Sequence, residues 1–236
     1  RNGDWVCLQN CHLAVSWLPR LEAILEATTG TDEHPDFRLW LTSMPSPRFP
    51  VPILQNGIKV TQEPPRGLKA NLKRTFLDLT EEAFEGCSKP RAFKKLLFGL
   101  AFYHALILER RKFGAIGWNI PYEWMASDLK TGMMQLRMYL EEQPQVPYET
   151  LNAVVGDIAY GGRATDSWDK RTNLSILAAY FCPDIMSDSY RFSTSGKYFA
   201  PAEGSLEEVR VYIESLPLDD PPDTFGLHDN ADITLQ

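Results

Sequence analysis

Cys7, Cys11 and His12 lie close enough together to suggest a metal site, and they are the first residues whose types could do chemistry. Zinc takes four ligands, usually in paired C-x-x-C spacings. No second pair occurs, so no metal site is expected and Cys7 reads as a thiol on a buried strand. His104 falls on an apolar helical face with no partner nearby in sequence, which points to a satisfied core histidine rather than a catalytic base. There is no G-x-S-x-G for a serine nucleophile. There is no G-x-x-x-x-G-K-[ST] either, and hence no phosphate-cradling loop. Two charged groups remain. Arg66, Lys69, Lys73 and Arg74 follow a proline pair, with Lys69 and Lys73 on one helical face. They could contact an anion, but an acidic chain favours a solvated face. Asp157, Arg163, Asp166, Asp169 and Arg171 gather around Tyr160-Gly161-Gly162. Salt bridges at a helix junction are one reading, and an arginine facing a phosphate across a domain boundary is the other. The residues leave both open.

The elements that must position these groups fall into two styles. Trp5-Val6-Cys7-Leu8 predicts a buried strand. Leu18, Leu21, Ile24 and Leu25 form the stripe of a helix capped by Ser16, with Pro19 in its first turn. Phe37, Leu39 and Leu41 alternate as a second strand, prolines interrupt at 45–52, and Ile58 and Val60 alternate as a third. Strand, helix, strand implies parallel pairing, and the rest of such a sheet is expected before Arg1. After Pro65 the pattern is helical, over 67–77, 90–112, 124–142, 148–159 and 166–181. Residues 90–112 are apolar on most sides, as in a buried bundle helix. Residues 183–204 predict a loop or small hairpin. Ser205 and Glu208 form a capping box for a last helix over 206–215. The proline-bearing 217–236 predicts an extended linker. The fold class is mixed α/β, mostly helical. Its expected divisions are 1–65, a partial parallel α/β subdomain; 66–182, a helical bundle; 183–216, the loop and final helix; and 217–236, the linker.

The 236 residues are 44% hydrophobic and 11% aromatic, enough for substantial cores. The net charge of −7 argues against nucleic acid and anionic membranes as partners. No apolar run is long enough to span a bilayer. The cysteines lie scattered, as in a reduced cytosolic protein. Both ends read as cuts inside a longer protein.

Longer words narrow the reading. Trp5-Val6-Cys7-Leu8-Gln9-Asn10-Cys11-His12-Leu13-Ala14 with Ser16-Trp17-Leu18 resembles a stretch of dynein heavy chains, as do Phe37 to Ser43 and Gln55-Asn56-Gly57-Ile58-Lys59. Glu63-Pro64-Pro65-Arg66-Gly67-Leu68-Lys69-Ala70-Asn71-Leu72 is similar to another. So are Glu109 to Gly114, Gly117-Trp118-Asn119, and Tyr160-Gly161-Gly162-Arg163 with Asp166, Trp168 and Asp169. The likeness covers nearly the whole chain and looks axonemal, most like inner-arm chains. It implies part of the sixth AAA+ module of a motor ring: the end of its large subdomain, then its helical lid.

That resemblance has further implications. The parent would be an ATP-hydrolysing microtubule motor in the cytoplasm, on the cytoskeleton of the cilium or flagellum axoneme. ATP and Mg would belong to its other modules, with no cofactor here. Partners would be neighbouring AAA+ modules and the intermediate, light intermediate and light chains, with microtubules reached only through the parent. An active module ends the strand matching Trp5–Leu8 in Asp-Glu, for Mg²⁺ and for the attacking water. Gln9 and Asn10 stand there instead, a degenerate position, so no catalytic residue is expected in this piece. Thr42 or Ser43 would occupy the polar sensor position, and Arg163 resembles the lid arginine. Two other readings stay open: a nucleotide-binding half-module lacking its phosphate loop, and a helical scaffold for accessory chains.

Overall fold

A computed structural model describes residues 3–28, 34–61, 63–201 and 204–234, which form two compact units, 1–63 and 64–236. In the first unit, β1 (Trp5–Leu8) and β2 (Arg38–Leu41) pair in parallel, Trp5 opposite Arg38 and Leu8 opposite Leu41. A 3₁₀ turn (Cys11–Leu13) and helix α1 (Leu18–Thr28) lie between them in sequence. Leu18 and Leu21 of α1, with Cys11 and Phe49, make a small core on which Leu8, Leu41 and Ile53 pack. The strand face bearing Leu8 and Leu41, although Val6 on it stays 40% exposed, is therefore covered at its carboxyl end.

The opposite face is not. Trp5 is 68% and Trp40 49% exposed, their ring centroids 5.7 Å apart. Cys7 between them is exposed too, and the buried thiol is Cys11. The expectation of a buried first strand with a buried Cys7 is corrected: a parallel pair is hidden on both faces only when both carry a layer. The expected third strand is also absent among the described residues. Helix α2 (Val51–Asn56) forms where prolines were expected only to interrupt, with Pro52 in its first turn. Ile58 and Val60 follow it in irregular backbone, 96% and 80% exposed. Their alternation suits a strand, but a strand needs a hydrogen-bonding neighbour, and among the described residues β1 and β2 pair only with each other.

The second unit is helical: α3 (Leu68–Leu77), α4 (Glu81–Glu85), α5 (Pro90–Glu109), α6 (Ala126–Glu142), α7 (Tyr148–Leu151), a π-helix (Asn152–Tyr160), α8 (Ser167–Ala178) and α9 (Leu206–Ser215). Helix α5 is the axis. Every residue from Leu96 to Ile107 is buried, which is why its apolar positions could not be confined to one stripe. Lys95, with no exposed surface, sends its ammonium to Asp188 at 2.7 Å. Around α5 gather Phe76 and Phe84, the aromatic group Phe102, Tyr180 and Phe192, and Leu136 and Val155. Ser205 and Glu208 cap α9 reciprocally, as the sequence predicts.

The tail corrects the expectation of an extended linker. It carries 3₁₀ turns at Pro222–Phe225 and Asp229–Thr234, and Phe225 is 1% exposed. The Leu68 N–H at the start of α3 donates to Asp220 Oδ2 at 2.9 Å, so the tail caps the helix that opens the unit. No described helix is long and apolar enough to cross a membrane.

Candidate functional site

Parallel strands open ligand sites at their carboxyl ends. There β1 runs into Gln9-Asn10 and β2 into Thr42-Ser43. The Thr42 N–H donates to Leu8 O at 3.0 Å and the Cys11 N–H to Thr42 O at 2.9 Å, so the ladder continues past both strands. Asn10 takes φ 56°, a left-handed conformation that asparagine tolerates better than most residues. Its N–H donates to Thr42 Oγ1 at 3.0 Å. The turn is completed by Ser43 Oγ on Met44 O at 2.8 Å and by the Met44 N–H on His12 Nδ1 at 3.2 Å.

The structure thus brings Gln9, Asn10, Thr42 and Ser43 to one strand-end ledge, all exposed. The ledge offers amides and hydroxyls. Amides are weak ligands for a hard cation beside carboxylates and cannot usefully take a proton from water. His12 and Cys11 belong to the same turn, but their side chains bond to backbone: Cys11 Sγ to Leu8 O at 3.4 Å, and His12 as above. Among the described residues no three His, Cys, Asp or Glu side chains converge as a metal site.

Arg163 lies in the helical unit, past the π-helix. Gly161 and Gly162 bend the chain there because a Cβ on either would stand 2.5–2.7 Å from a carbonyl of the preceding turn. The surrounding charges form salt bridges and caps at the helix junction, with Asp128 as a further partner. Arg163 grips Asp128 through Nε at 2.8 Å and NH2 at 2.9 Å, a bidentate pair. Asp128 also accepts the Met125 N–H at 2.8 Å, capping α6. Asp166 caps α8, and buried Asp169 accepts the Asn119 and Ile120 N–H groups at 3.1 and 3.2 Å. Asp157 pairs with Lys170 at 3.0 Å. Nothing in the sequence marks Asp128, because its N-cap neighbour is Met125, which hides the capping pattern.

The other candidates are structural. His104 Nδ1 meets the Tyr160 hydroxyl at 2.9 Å, and burial pushes its imidazole down to about 4. Burial also raises the phenol of Tyr103, which donates to Asn173 Oδ1 at 2.6 Å. Lys73 and Arg74 are exposed, as a solvated face requires, and Lys69 and Lys73 find a carboxylate partner there. Both pair with Glu214, and Lys69 Nζ donates to Glu214 O at 2.6 Å near the end of α9. A cleft of about 1330 Å³ opens in the helical unit between Pro64–Gly67, the end of α5 and the tail. Glu109 lies at it, its carboxyl raised chiefly by burial and holding Asn71 Nδ2 at 3.0 Å.

Two family descriptions match the chain. Residues 1–61 match the dynein heavy chain region D6 P-loop domain, and residues 93–231 match the dynein heavy chain AAA lid domain. The chain belongs to the dynein heavy chain family. It is 50% identical to dynein axonemal heavy chain 12 of Rattus norvegicus and 49% identical to dynein axonemal heavy chain 3 of Mus musculus, over 98% of its own length in both. It is 50% identical to dynein axonemal heavy chain 1 of Homo sapiens over 99%. These alignments cover 8%, 6% and 6% of the relatives, so the chain spans a small part of each. As an AAA+ piece of an axonemal dynein heavy chain, it carries the D6 match on the α/β unit and the lid match on the helical one.

Proposed function

We propose that this chain is a structural, non-hydrolysing part of the sixth AAA+ module of an axonemal dynein heavy chain. The parent is an ATP-driven motor that moves on microtubules in the axoneme of a cilium or flagellum, and its Mg·ATP is turned over in other modules. The supporting observation is the ledge at Gln9-Asn10. A hydrolysing module needs a carboxylate there to hold Mg²⁺ and another to polarise water. This chain presents two amides and turns its backbone N–H onto Thr42 Oγ1. Arg163, the counterpart of a nucleotide-touching lid arginine, spends both donor directions on Asp128.

With chemistry absent, the module works by contact. It would hold its neighbouring AAA+ modules in register and pass their movements on through packed helices. Intermediate, light intermediate and light chains would meet the heavy chain of the same parent complex. Isothermal calorimetry of the purified chain with Mg·ATP tests the reading: no heat of binding and no phosphate release are expected. Micromolar ATP binding would overturn it.

A further inference from the structure

The tip of the turn Phe192–Tyr198 touches the tail through one exposed hydroxyl. The turn is closed by the Phe192 N–H on Tyr198 O at 2.8 Å, and its tip bends through the Gly196 N–H on Ser193 O at 3.1 Å. Thr194 stands at that tip and donates to Asp223 Oδ2. Ser193 and Ser195 flank it but bond each other at 2.8 Å. Asp223 lies in the first turn of the 3₁₀ segment Pro222–Phe225. That segment is anchored by Phe225, whose carbonyl accepts from Arg110 and whose ring packs edge-on against Phe113. Just before it, Leu218, Asp219, Asp220 and Pro221 line the cleft.

Two cations bracket the hydroxyl, Arg191 three residues before and Lys197 three after. Both are exposed. Among the described residues the Arg191 guanidinium is held by the carbonyls of Asp188 and Tyr190 and by the Phe199 ring, contacts that an extended substrate conformation would release.

We propose that Thr194 is a phosphorylation site for an arginine-directed serine/threonine kinase, and that the modification unlatches the tail. The γ-phosphoryl group of a nucleoside triphosphate moves to Thr194 Oγ1. The bond from phosphorus to the bridging oxygen breaks and a phosphorus–Oγ1 bond forms. The hydroxyl proton leaves to the kinase's base, and the nucleoside diphosphate departs. The product replaces a donor aimed at Asp223 with a group of nearly two negative charges. Attraction becomes like-charge repulsion, and Lys197 offers the phosphate a cation on its own turn. The Pro222–Phe225 segment loses its contact with the tip of the turn, and the wall of the cleft that it carries loosens.

The experiment uses the full chain with ATP and the catalytic subunit of an arginine-directed kinase. Mass spectrometry maps the modified residue, and hydrogen exchange follows peptides covering 218–227. Phosphate is expected on Thr194 in preference to Ser193 and Ser195, with tail amides exchanging about tenfold faster while those of 96–107 stay unchanged. Thr194→Glu should reproduce the faster exchange, and adding Asp223→Asn should remove most of it. Phosphate absent from Thr194, or tail exchange that does not respond to it, would overturn the proposal. A Thr194→Glu effect that persists in Asp223→Asn would refute the latch itself.

Discussion

His104 shows how one residue's surroundings set a property of the whole chain. Its ring lies 6% exposed against Tyr160, and its pKa falls from an ordinary 6.5 to about 4. Between those values the unfolded chain binds a proton that the folded chain refuses. Stability therefore rises with pH across this window and is lost on acidification from about 6.5 to 4, by up to about 3 kcal/mol. Urea unfolding of the wild type and His104→Gln at a series of pH values should show it: the variant's loss between pH 6.5 and 4 should be smaller. Parallel curves would mean that His104 is protonated equally in both states. Arg163 and Asp128 behave differently. Their pair sits at the surface, where a bidentate geometry fixes direction more than it adds stability.

At the scale of elements, α5 and the segment after it decide most of the helical unit. Gly114 takes φ 58°, ψ −135°, a conformation that a side chain strongly disfavours, and three residues later the chain folds back on itself. A Cβ on Gly117 would stand 1.9 Å from Arg110 O. The same turn places Gly117 O to accept Arg110 Nε and NH2, at 3.3 and 3.2 Å. Burial pushes that guanidinium down to about 10. Gly117→Ala should therefore cost about 2–3 kcal/mol by forcing the turn open, measured by thermal or chemical unfolding. A change below about 0.5 kcal/mol would show that the turn adapts freely.

These elements also show what the residues disclosed. The positions of α3, α5, α6, α8 and α9 were legible because helices carry local signals, such as the capping box at Ser205 and the glycines after residue 112. The strand-end ledge was legible at Gln9, Asn10, Thr42 and Ser43 through long family words, which periodicity alone could not supply. The contact of Asn10 with Thr42 was not, since it joins residues 32 apart. Ile58 and Val60 misled because alternation reports what a segment suits, while a strand exists only beside a partner. The tail misled in the opposite direction. Its prolines advertise extension, yet Phe225 and Asp220 find distant pockets and donors that no local pattern marks.

Across the whole molecule, the two units differ in how completely each buries itself. The helical unit closes around α5. The α/β unit covers one sheet face in part and leaves Trp5, Cys7 and Trp40 exposed on the other, a state that parallel sheets rarely keep. This agrees with a module whose remaining layer comes from elsewhere in a long chain. In isolation the exposed pair should drive association. Sedimentation velocity is expected to show concentration-dependent self-association that Trp5→Lys with Trp40→Lys suppresses, with helical circular dichroism unchanged. A monomer that is indifferent to both changes would place the association elsewhere or remove it.

The clasp between the tail and α3 has a mechanical consequence. Asp220 joins Leu68 across 152 residues of sequence, so the strands of chain that lead into and out of the bundle lie side by side. A pull applied at Pro65 and at the far end of the tail meets the Phe225 anchor on Arg110 and Phe113 and then that clasp, where the Tyr198 hydroxyl holds the other Asp220 oxygen at 2.5 Å. Tension then passes across a few charge-assisted hydrogen bonds instead of along α5. The bundle is shielded from stretching until both the Phe225 anchor and the Asp220 clasp yield.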